Sequence, residues 1–474
     1  MFYKAIALLI FFCFWSTIFS QNWAALSEQI DLSPSGSRID CLFNDGDSVL
    51  YIGGHFISAE TGTIISKIAK WDGVSLQPMG CGFNWDCENS ETLNAYDGGV
   101  FSCVRYQDEI YVAGYFHNSG NEALNNVAKW NGSQFVPVGE GFDLWVNRLV
   151  IIEDSLYACG GFLQSGNTSV NGLAKWNGAS WEPVHNFPQF YKTSNNEVTC
   201  VAKYNNFFYV VGNFFNSDLN IRDGVVWNGE SWSSFGGGFY GGLMSLGELA
   251  HYEGELVLSG SVSQDENANN PGNGIVGWNG SSWNTFNGGV DDPSTDYIGA
   301  VFDIETYENR IYVVGNFYNA GGVPANQLAF WEDDHWCTFV DTAQIVGSQT
   351  NISHVTIFQD TLYIAGFFDA ISGNTSIHGI AKYLGGDECE ITRVNTLNSL
   401  DAPSLFPNPA SNQIHIKNVQ SNQQLEISIY DCIGHLVLRV GNSTTIDVGT
   451  LSTGMYYMRV SDENRVSVQS FIKN

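Results

Sequence analysis

The segment Ile110-Tyr-Val-Ala-Gly-Tyr-Phe116 is followed, after a polar loop, by Val127-Ala-Lys-Trp-Asn-Gly132, and variants of this pair of phrases occur seven times along the chain. The first phrase also reads LYIGGHF from Leu50, LYACGGF from Leu156, FYVVGNF from Phe208, LVLSGSV from Leu256, IYVVGNF from Ile311 and LYIAGFF from Leu362. The second phrase centres on aromatic residues 46 to 59 positions apart, namely Trp71, Trp130, Trp176, Trp227, Trp278, Trp331 and Tyr383. A period of about 50 residues built from short β-type runs indicates one supersecondary unit per repeat.

Each copy predicts four short strands joined as an antiparallel meander. In the copy quoted first, a turn and the hairpin signal Asn131-Gly132 separate runs rich in β-branched and aromatic residues. The predicted strands are Val100–Tyr106, Ile110–Phe116, Val127–Trp130 and Ser133–Val138. The glycine after each second-strand run predicts a bulge or a close approach of backbone. We expect the recurring Trp to pack between neighbouring copies.

Seven such units predict an all-β fold, a seven-bladed β-propeller over residues 21–390. The seventh copy reaches Gly379–Gly386 but lacks a fourth strand, and a similar phrase, Asn22-Trp23-Ala24-Ala25-Leu26, lies near the start of the chain. We therefore expect Trp23–Leu26 to complete blade seven, which would close the ring and remove open sheet edges. The GxF…AKWNG…SW pattern resembles the kelch-like and galactose-oxidase-central-domain group of propeller repeats, a resemblance that implies an architecture and no particular activity.

The meander separates short connections from long ones. The turns between strands one and two, and between strands three and four, are short and fall at one end of each unit. The other connections, for example residues 79–99 and 236–247, hold the spare length of the chain at the opposite end. Long loops on a rigid scaffold are common binding sites, and aromatic planes beside polar groups suit sugars or peptides. The candidate binding face consists of Trp85, Trp145, Tyr191, Tyr240 and Tyr297, unless these side chains only pack the loops onto the scaffold.

No sequence motif points to catalysis. The nine histidines form no HExxH or other spaced ligand set, and a Gly-x-Ser-x-Gly nucleophile elbow is absent. Carboxylates are numerous, but the sequence singles out no acid–base pair. We predict no enzyme activity and no cofactor, with Asn44-Asp45-Gly46-Asp47 and Asp291-Asp292 as weak candidate sites for calcium.

The cysteines suggest disulfides rather than metal ligands. Cys81 and Cys87, six positions apart in one loop, are the best candidate pair, and Cys337 could pair with Cys389. Three further cysteines fall at similar positions in the first strands of their units, where we expect buried thiols. These are Cys41, Cys103 and Cys200.

The net charge limits the expected partners, and the first residues predict where the protein is located. The formal net charge is −30, which repels phosphate, so nucleic acid and anionic membranes are excluded as expected partners. Residues 1–20 are typical of a secretory signal peptide, with Lys4 as the basic end and a predicted cut before Gln21. Its apolar run is too short to span a bilayer, and no other segment is a transmembrane candidate.

A different module follows the repeats. Residues 391–403 have the character of a linker, and residues 404–474 predict about seven short strands in a small β-sandwich. The module resembles the type A C-terminal sorting domain of the Bacteroidota type IX secretion system. The matching residues are Pro407, Asn408, Pro409, Gly434, Gly454, Tyr456 and Lys473. The resemblance implies passage through the periplasm, recognition by the secretion machinery, and release or attachment at the cell surface.

These observations favour a secreted or cell-surface module without catalytic activity, which binds a glycan or a protein through the long-loop face. One alternative is a structural component of a surface coat or adhesion layer. The other is a secreted polysaccharide hydrolase or lyase with carboxylates near the propeller axis.

Overall fold

The computed structural model describes residues 22–26, 37–46, 48–58, 65–83, 98–188, 197–216, 221–235, 247–262, 272–292, 299–339, 345–346, 351–371, 374–385, 404–417, 426–431, 436–441, 443–461 and 466–474. The predicted signal peptide (1–20) and linker (391–403) lie outside these residues. The chain divides into two compact units, Met1–Cys389 and Glu390–Asn474. Across the described residues, no helix has the length and apolar character needed to cross a membrane.

The described residues of the first unit form seven four-stranded antiparallel sheets, which we number I to VII. In sheets I to VI the four strands follow one another along the chain, as the repeat predicts. Their strands are Arg38–Asp45, Val49–Ser58, Ile65–Trp71 and Leu76–Pro78 in sheet I; Gly99–Tyr106, Glu109–Tyr115, Val127–Trp130 and Phe135–Pro137 in sheet II; Val146–Ile152, Ser155–Gly160, Leu173–Trp176 and Trp181–Pro183 in sheet III; Glu197–Tyr204, Phe207–Asn216, Ile221–Trp227 and Trp232–Ser234 in sheet IV; Leu249–Tyr252, Glu255–Ser259, Ile275–Trp278 and Trp283–Asn284 in sheet V; Ala300–Tyr307, Arg310–Asn316, Leu328–Glu332 and His335–Thr338 in sheet VI.

Sheet VII joins the two ends of this unit. Its first three strands are Asn351–Phe358, Thr361–Phe367 and Ile380–Tyr383, and its fourth is the N-terminal strand Trp23–Ala24. Trp23 pairs with Tyr383, and the two rings lie 4.9 Å apart. The prediction that the N-terminal phrase completes the seventh unit is confirmed by this pairing.

The hairpin between strands three and four differs from the expected two-residue turn. In sheet II the Asn131 side-chain oxygen accepts the backbone N–H groups of Ser133 and Gln134, both at 3.0 Å. These bonds hold a four-residue loop, so the fourth strand begins at Phe135 rather than at Ser133. Asn177, Asn228 and Asn279 form the same two bonds in sheets III, IV and V.

The recurring glycine sits opposite a β-bulge, as predicted. Gly315 pairs with Val301, and the register slips between Val301 and Asp303 on the first strand. A Cβ atom at Gly315 would lie 2.0 Å from the Ala300 carbonyl oxygen, so only glycine allows this approach. The same slip occurs in the first strands of sheets I, II, III, IV and VII.

The long connections carry small hairpins of their own. They contain the short strands Asn118–Ser119, Glu122–Ala123, Gln164–Ser165, Thr168–Ser169, Val290–Asp291, Asn319–Ala320, Val323–Pro324, Ile345–Val346 and Ala370–Ile371, together with a 3-10 turn at Phe286–Gly288. The turns between strands one and two are short in every sheet.

The first strands of the sheets are neighbours in the order I to VII, and the first strand of sheet VII also neighbours that of sheet I. Apolar clusters fill the spaces between successive sheets. Tryptophans contribute to these contacts as predicted. The Trp181 indole N–H donates to the Val138 carbonyl beyond sheet II at 3.1 Å, and the Trp176 ring packs on Gly139.

In the part of the second unit that the structure describes, seven strands form two sheets. The strands are Ser404–Phe406, Gln413–Lys417, Glu426–Asp431, Leu436–Gly441, Thr445–Asp447, Gly454–Ser461 and Val466–Lys473. Three of them form one sheet and four form the other, and Ile414, Ile429 and Met458 belong to the single core that the sheets share. This arrangement agrees with the predicted β-sandwich.

Candidate functional site

Of the predicted binding-face residues, only Trp145 lies among the described residues. Trp85, Tyr191, Tyr240 and Tyr297 lie outside them. The Trp145 indole N–H donates to the Glu197 carboxylate at 3.1 Å, which links sheet III to sheet IV. Its ring also closely covers Gly161, where a Cβ atom would lie 2.4 Å away. Trp145 therefore makes packing contacts between sheets III and IV, and its place in the binding face stays a prediction.

Three other aromatic side chains are exposed at the long-connection end. Tyr115 is 41% exposed, Phe215 46% and Tyr318 45%. Each follows the recurring glycine of its second strand by one to three positions, where the long connection of that sheet begins. We call these three residues the aromatic face. Sequence reasoning missed them because they lie at the end of the repeated phrase and not in the loops.

The predicted disulfide cysteines and the candidate calcium residues make contacts that are common in folded proteins. Cys81 and Cys337 are disulfide-bonded, and their predicted partners, Cys87 and Cys389, lie outside the described residues. Asp45 forms an ion pair with Arg105 of sheet II, and the Asp291 carboxylate accepts a bond from the Asn319 amide at 2.7 Å. Within the described part of the chain, no group of three or more His, Cys, Asp or Glu could hold a metal.

A cavity of about 220 Å³ lies where the first strands meet. The residue after the bulge in six sheets, and the residue opposite Ser259 in sheet V, form what we call the inner ring; all of its members except Cys200 line this cavity. Its members, from sheet I to sheet VII, are Cys41, Ser102, Arg148, Cys200, Glu248, Asp303 and His354. Cys103 is not a member, because it pairs one residue further along its strand than Cys41 does. Cys41, Cys103 and Cys200 are buried free thiols, as expected.

Most inner-ring side chains have one structural task. Each accepts a hydrogen bond from a backbone N–H of the next first strand, which would otherwise face the central space. Ser102 accepts from Leu149 at 3.0 Å, Glu248 from Ile304 at 3.3 Å and Asp303 from Val355 at 2.9 Å. Cys41 and Cys200 accept from Cys103 and Leu249 in the same way.

Four adjacent ionisable groups make the inner ring unusual. Arg148 pairs with Glu248, Glu248 shares a hydrogen bond with Asp303, and His354 Nδ1 lies 3.6 Å from Asp303. Burial raises the pKa of Glu248 well above its usual range, against the opposing charge of Arg148. Burial alone would raise the pKa of Asp303, but hydrogen bonding to His354 and Glu248 outweighs it and lowers that pKa to about 2. The two carboxyl groups therefore titrate as a coupled pair.

Glu305 extends this cluster by one step along its strand. Its carboxylate accepts a bond from the Thr356 hydroxyl at 3.0 Å. Burial raises the pKa of Glu305 to about 7, which the Thr356 bond opposes and the charge of Asp303 reinforces. Phe43 and Val104 form an apolar wall of the same cavity. The cavity thus combines an apolar wall with closely spaced donors and acceptors.

In the second unit, several predicted sorting residues form hydrogen bonds or strand pairs within the sandwich. Asn408 accepts the Ile472 N–H at 2.9 Å and donates to the Ser470 carbonyl at 3.1 Å. The Tyr456 hydroxyl donates to the Ser452 carbonyl at 2.9 Å, and Gly454 pairs with Lys473. Gly434 lies outside the described residues.

Comparison with known proteins identifies the second unit. Residues 404–474 match the family described as the secretion system C-terminal sorting domain. This segment is a sorting tail, and the chain is therefore cargo of type IX secretion, located outside the cell or on its surface. No curated protein matches the chain significantly.

Solved structures resemble the chain only distantly. The extracellular domain of the putative one component system BT4673 from B. thetaiotaomicron aligns with 95% of this chain at 10% identity and a TM-score of 0.41. The chain spans 58% of the length of that protein's chain. BamB from Moraxella catarrhalis aligns with 76% of this chain, which covers 95% of BamB, at 9% identity and a TM-score of 0.21. TM-scores below 0.5 do not establish a common fold.

Proposed function

We propose that the first unit is a closed seven-bladed propeller of the kelch-like kind that the repeat resembles, and that it acts as a binding module without catalytic activity. The cyclic order of the first strands and the N-terminal strand in sheet VII support closure, because both would be needed to end the array without an open edge. A rigid ring of sheets would hold all long connections at one end, where a large ligand could be bound.

The aromatic face is the observation that carries the binding proposal. Tyr115, Phe215 and Tyr318 keep almost half of their surface exposed although each lies at the end of a second strand or within two residues of it. Exposed aromatic planes on a rigid frame lose little entropy when they stack on a sugar ring or hold a peptide. The secreted location that the sorting tail implies would bring this face near glycans and surface proteins.

A triple substitution of Tyr115, Phe215 and Tyr318 to serine tests this face. We expect saturable binding of the wild-type protein to a component of a glycan panel or of a cell-surface extract, and loss of that binding in the triple variant. The matched control is the double variant I151S/F207S. Ile151 is 41% exposed and Phe207 39%, but both lie beside short turns at the opposite end of the sheets. Binding that survives in the triple variant would overturn the proposal.

The inner-ring carboxylates bear on the alternative of a polysaccharide hydrolase. Glu248 and Asp303 are hydrogen-bonded to each other, whereas glycosidase carboxyl pairs stand about 5 Å or more apart to accommodate the sugar. This contact favours binding over hydrolysis. Release of reducing ends from a polysaccharide by the wild-type protein, and not by E248Q, would establish the enzymatic alternative instead.

A further inference from the structure

Arg148 does not fit the structural task of the inner ring. Serine, cysteine and carboxylate side chains each accept the backbone N–H of the next strand, as Ser102 and Asp303 do. A guanidinium group has no acceptor, so arginine cannot perform this task at all. Burial of an arginine is also costly, and it needs a carboxylate, Glu248, to compensate its charge. The cluster of Arg148, Glu248, Asp303 and His354 therefore does more than satisfy the backbone N–H groups of neighbouring strands.

Arg148 also keeps donors that no protein group uses. Among the described residues, its only hydrogen bond is the one from Nη1 to Glu248. The side chain keeps 27% of its surface accessible, and that surface lines the central cavity. Four of the five guanidinium N–H groups are thus available to a molecule in the cavity.

Acceptors lie on the neighbouring strands of the same cavity. Glu305 uses one carboxylate oxygen for Thr356, and the described residues provide no partner for the other. Arg148 pairs with Glu248, and Asp303 lies 3.6 Å from His354, so each of these groups already has a polar partner in the protein. A neutral molecule that both donates and accepts hydrogen bonds suits such surroundings better than an ion, which would leave one charge uncompensated.

The volume of the cavity and the position of its opening limit the class of ligand that can bind. The cavity holds about 220 Å³, compared with roughly 30 Å³ per water molecule in the liquid. This volume suits one sugar ring and excludes an oligosaccharide. An adjoining cavity of about 300 Å³ shares Arg148 and Glu248 and extends to Arg105 and the exposed Ile151, beside the short turns. Access is therefore from the end opposite the aromatic face.

We infer that the central cavity is a binding site for a single neutral polyhydroxylated molecule, of the size of a monosaccharide. Arg148 donates to ligand hydroxyl groups, Glu305 accepts from them, and the apolar wall of Phe43 and Val104 packs against the C–H face. This site is separate from the aromatic face and does not depend on the function proposed for that face.

Ligand-observed NMR and calorimetry on the full chain test the site with free glucose, galactose, mannose and xylose. Spermidine and citrate serve as cationic and anionic probes. We expect saturable binding of at least one sugar. The paired variant R148M/E248Q, which leaves no buried charge without its partner, should weaken binding at least about tenfold, as expected for lost charge-assisted bonds. E305Q should weaken it less.

Two further variants make the result decisive. The aromatic-face triple variant should bind the sugar as the wild type does, so failure of one site is distinguishable from failure of the other. I151W should slow or block binding if access is from the short-turn end. Equal binding by the wild type and R148M/E248Q, preference for a charged probe, or no binding of any sugar would overturn the inference and leave a cavity that holds water only.

Discussion

The hydroxyl group of Tyr252 in sheet V donates a hydrogen bond to the backbone carbonyl of Asn309, 3.0 Å away in the first turn of sheet VI. The same link recurs around the unit. Tyr204 reaches the Gly254 carbonyl at 2.7 Å, Tyr106 the Asp154 carbonyl at 3.3 Å and Tyr307 the Asp360 carboxylate at 2.6 Å. A tyrosine at the end of a first strand thus ties each of these sheets to the short turn of the next.

Tyr252→Phe is expected to lower the free energy of unfolding by about 1 kcal/mol, because the buried ring stays in place and only the inter-sheet hydrogen bond is lost. Urea denaturation followed by tryptophan fluorescence measures the difference. Tyr115→Phe is the matched control, because that exposed hydroxyl forms none of these links, and it should leave stability unchanged. Equal effects of both substitutions would contradict a role for the links.

Gly315→Ala is expected to destabilise the first unit by about 3 kcal/mol or more, because its methyl group would lie 2.0 Å from a backbone carbonyl oxygen that cannot move without breaking the bulge. Gly132→Ala is the comparison. That glycine has a φ of +99° but nothing within 4 Å, so only backbone strain of about 1–2 kcal/mol applies. Thermal unfolding of both variants should rank Gly315→Ala as the less stable.

Trp23→Ala is expected to cost about 3–5 kcal/mol, the range for loss of a large buried aromatic side chain. Trp23 is 2% exposed and packs on Tyr383 and Phe339. The loss of stability should extend to sheets I and VI, since sheet VII lies between them. Hydrogen exchange would measure it by region, with V74A, at a residue 84% exposed, as the neutral control.

Glu305→Gln is expected to change how stability depends on pH. The folded-state pKa of Glu305 is about 7, above the value of about 4.3 for an unfolded chain. The folded state therefore holds this proton more tightly, and stability falls as pH rises from about 4.3 to 7. Glutamine removes that loss, so the variant should gain on the wild type between pH 5 and pH 8 in denaturant titrations. A constant difference across this range would show that the group titrates normally.

The repeat made the sheet architecture predictable. The period placed every sheet, the recurring glycine marked the bulge, and the unfinished seventh copy led to the pairing of Trp23 with Tyr383. These features are local or are repeated, so one chain contains several independent instances of each. The four-residue loop at Asn131 was not foreseen, because the side-chain bonds that widen it compete with the tighter turn.

The inner ring could not be found in the sequence. Its members share a position relative to the bulge but no residue type, and Arg148 and Glu248 come from different sheets. Their contact follows only from the cyclic order of the first strands. The one available signal was chemical: charged residues such as Arg148 and Asp303 within otherwise apolar first strands. Trp145, in contrast, was singled out from the sequence, and the structure adds a contact with Glu197 that the sequence did not indicate.

The pairing of Trp23 with Tyr383 also sets an order of events during folding. The strand that is synthesised first finds its partner only after almost the whole unit has been made, and the sorting tail follows that partner closely in the chain. Contacts between distant segments form slowly, since the chain must first close a very long loop. A completed sheet VII thus reports that the first unit has been synthesised to its end, and a cargo truncated before Tyr383 would lack both this sheet and the sorting tail.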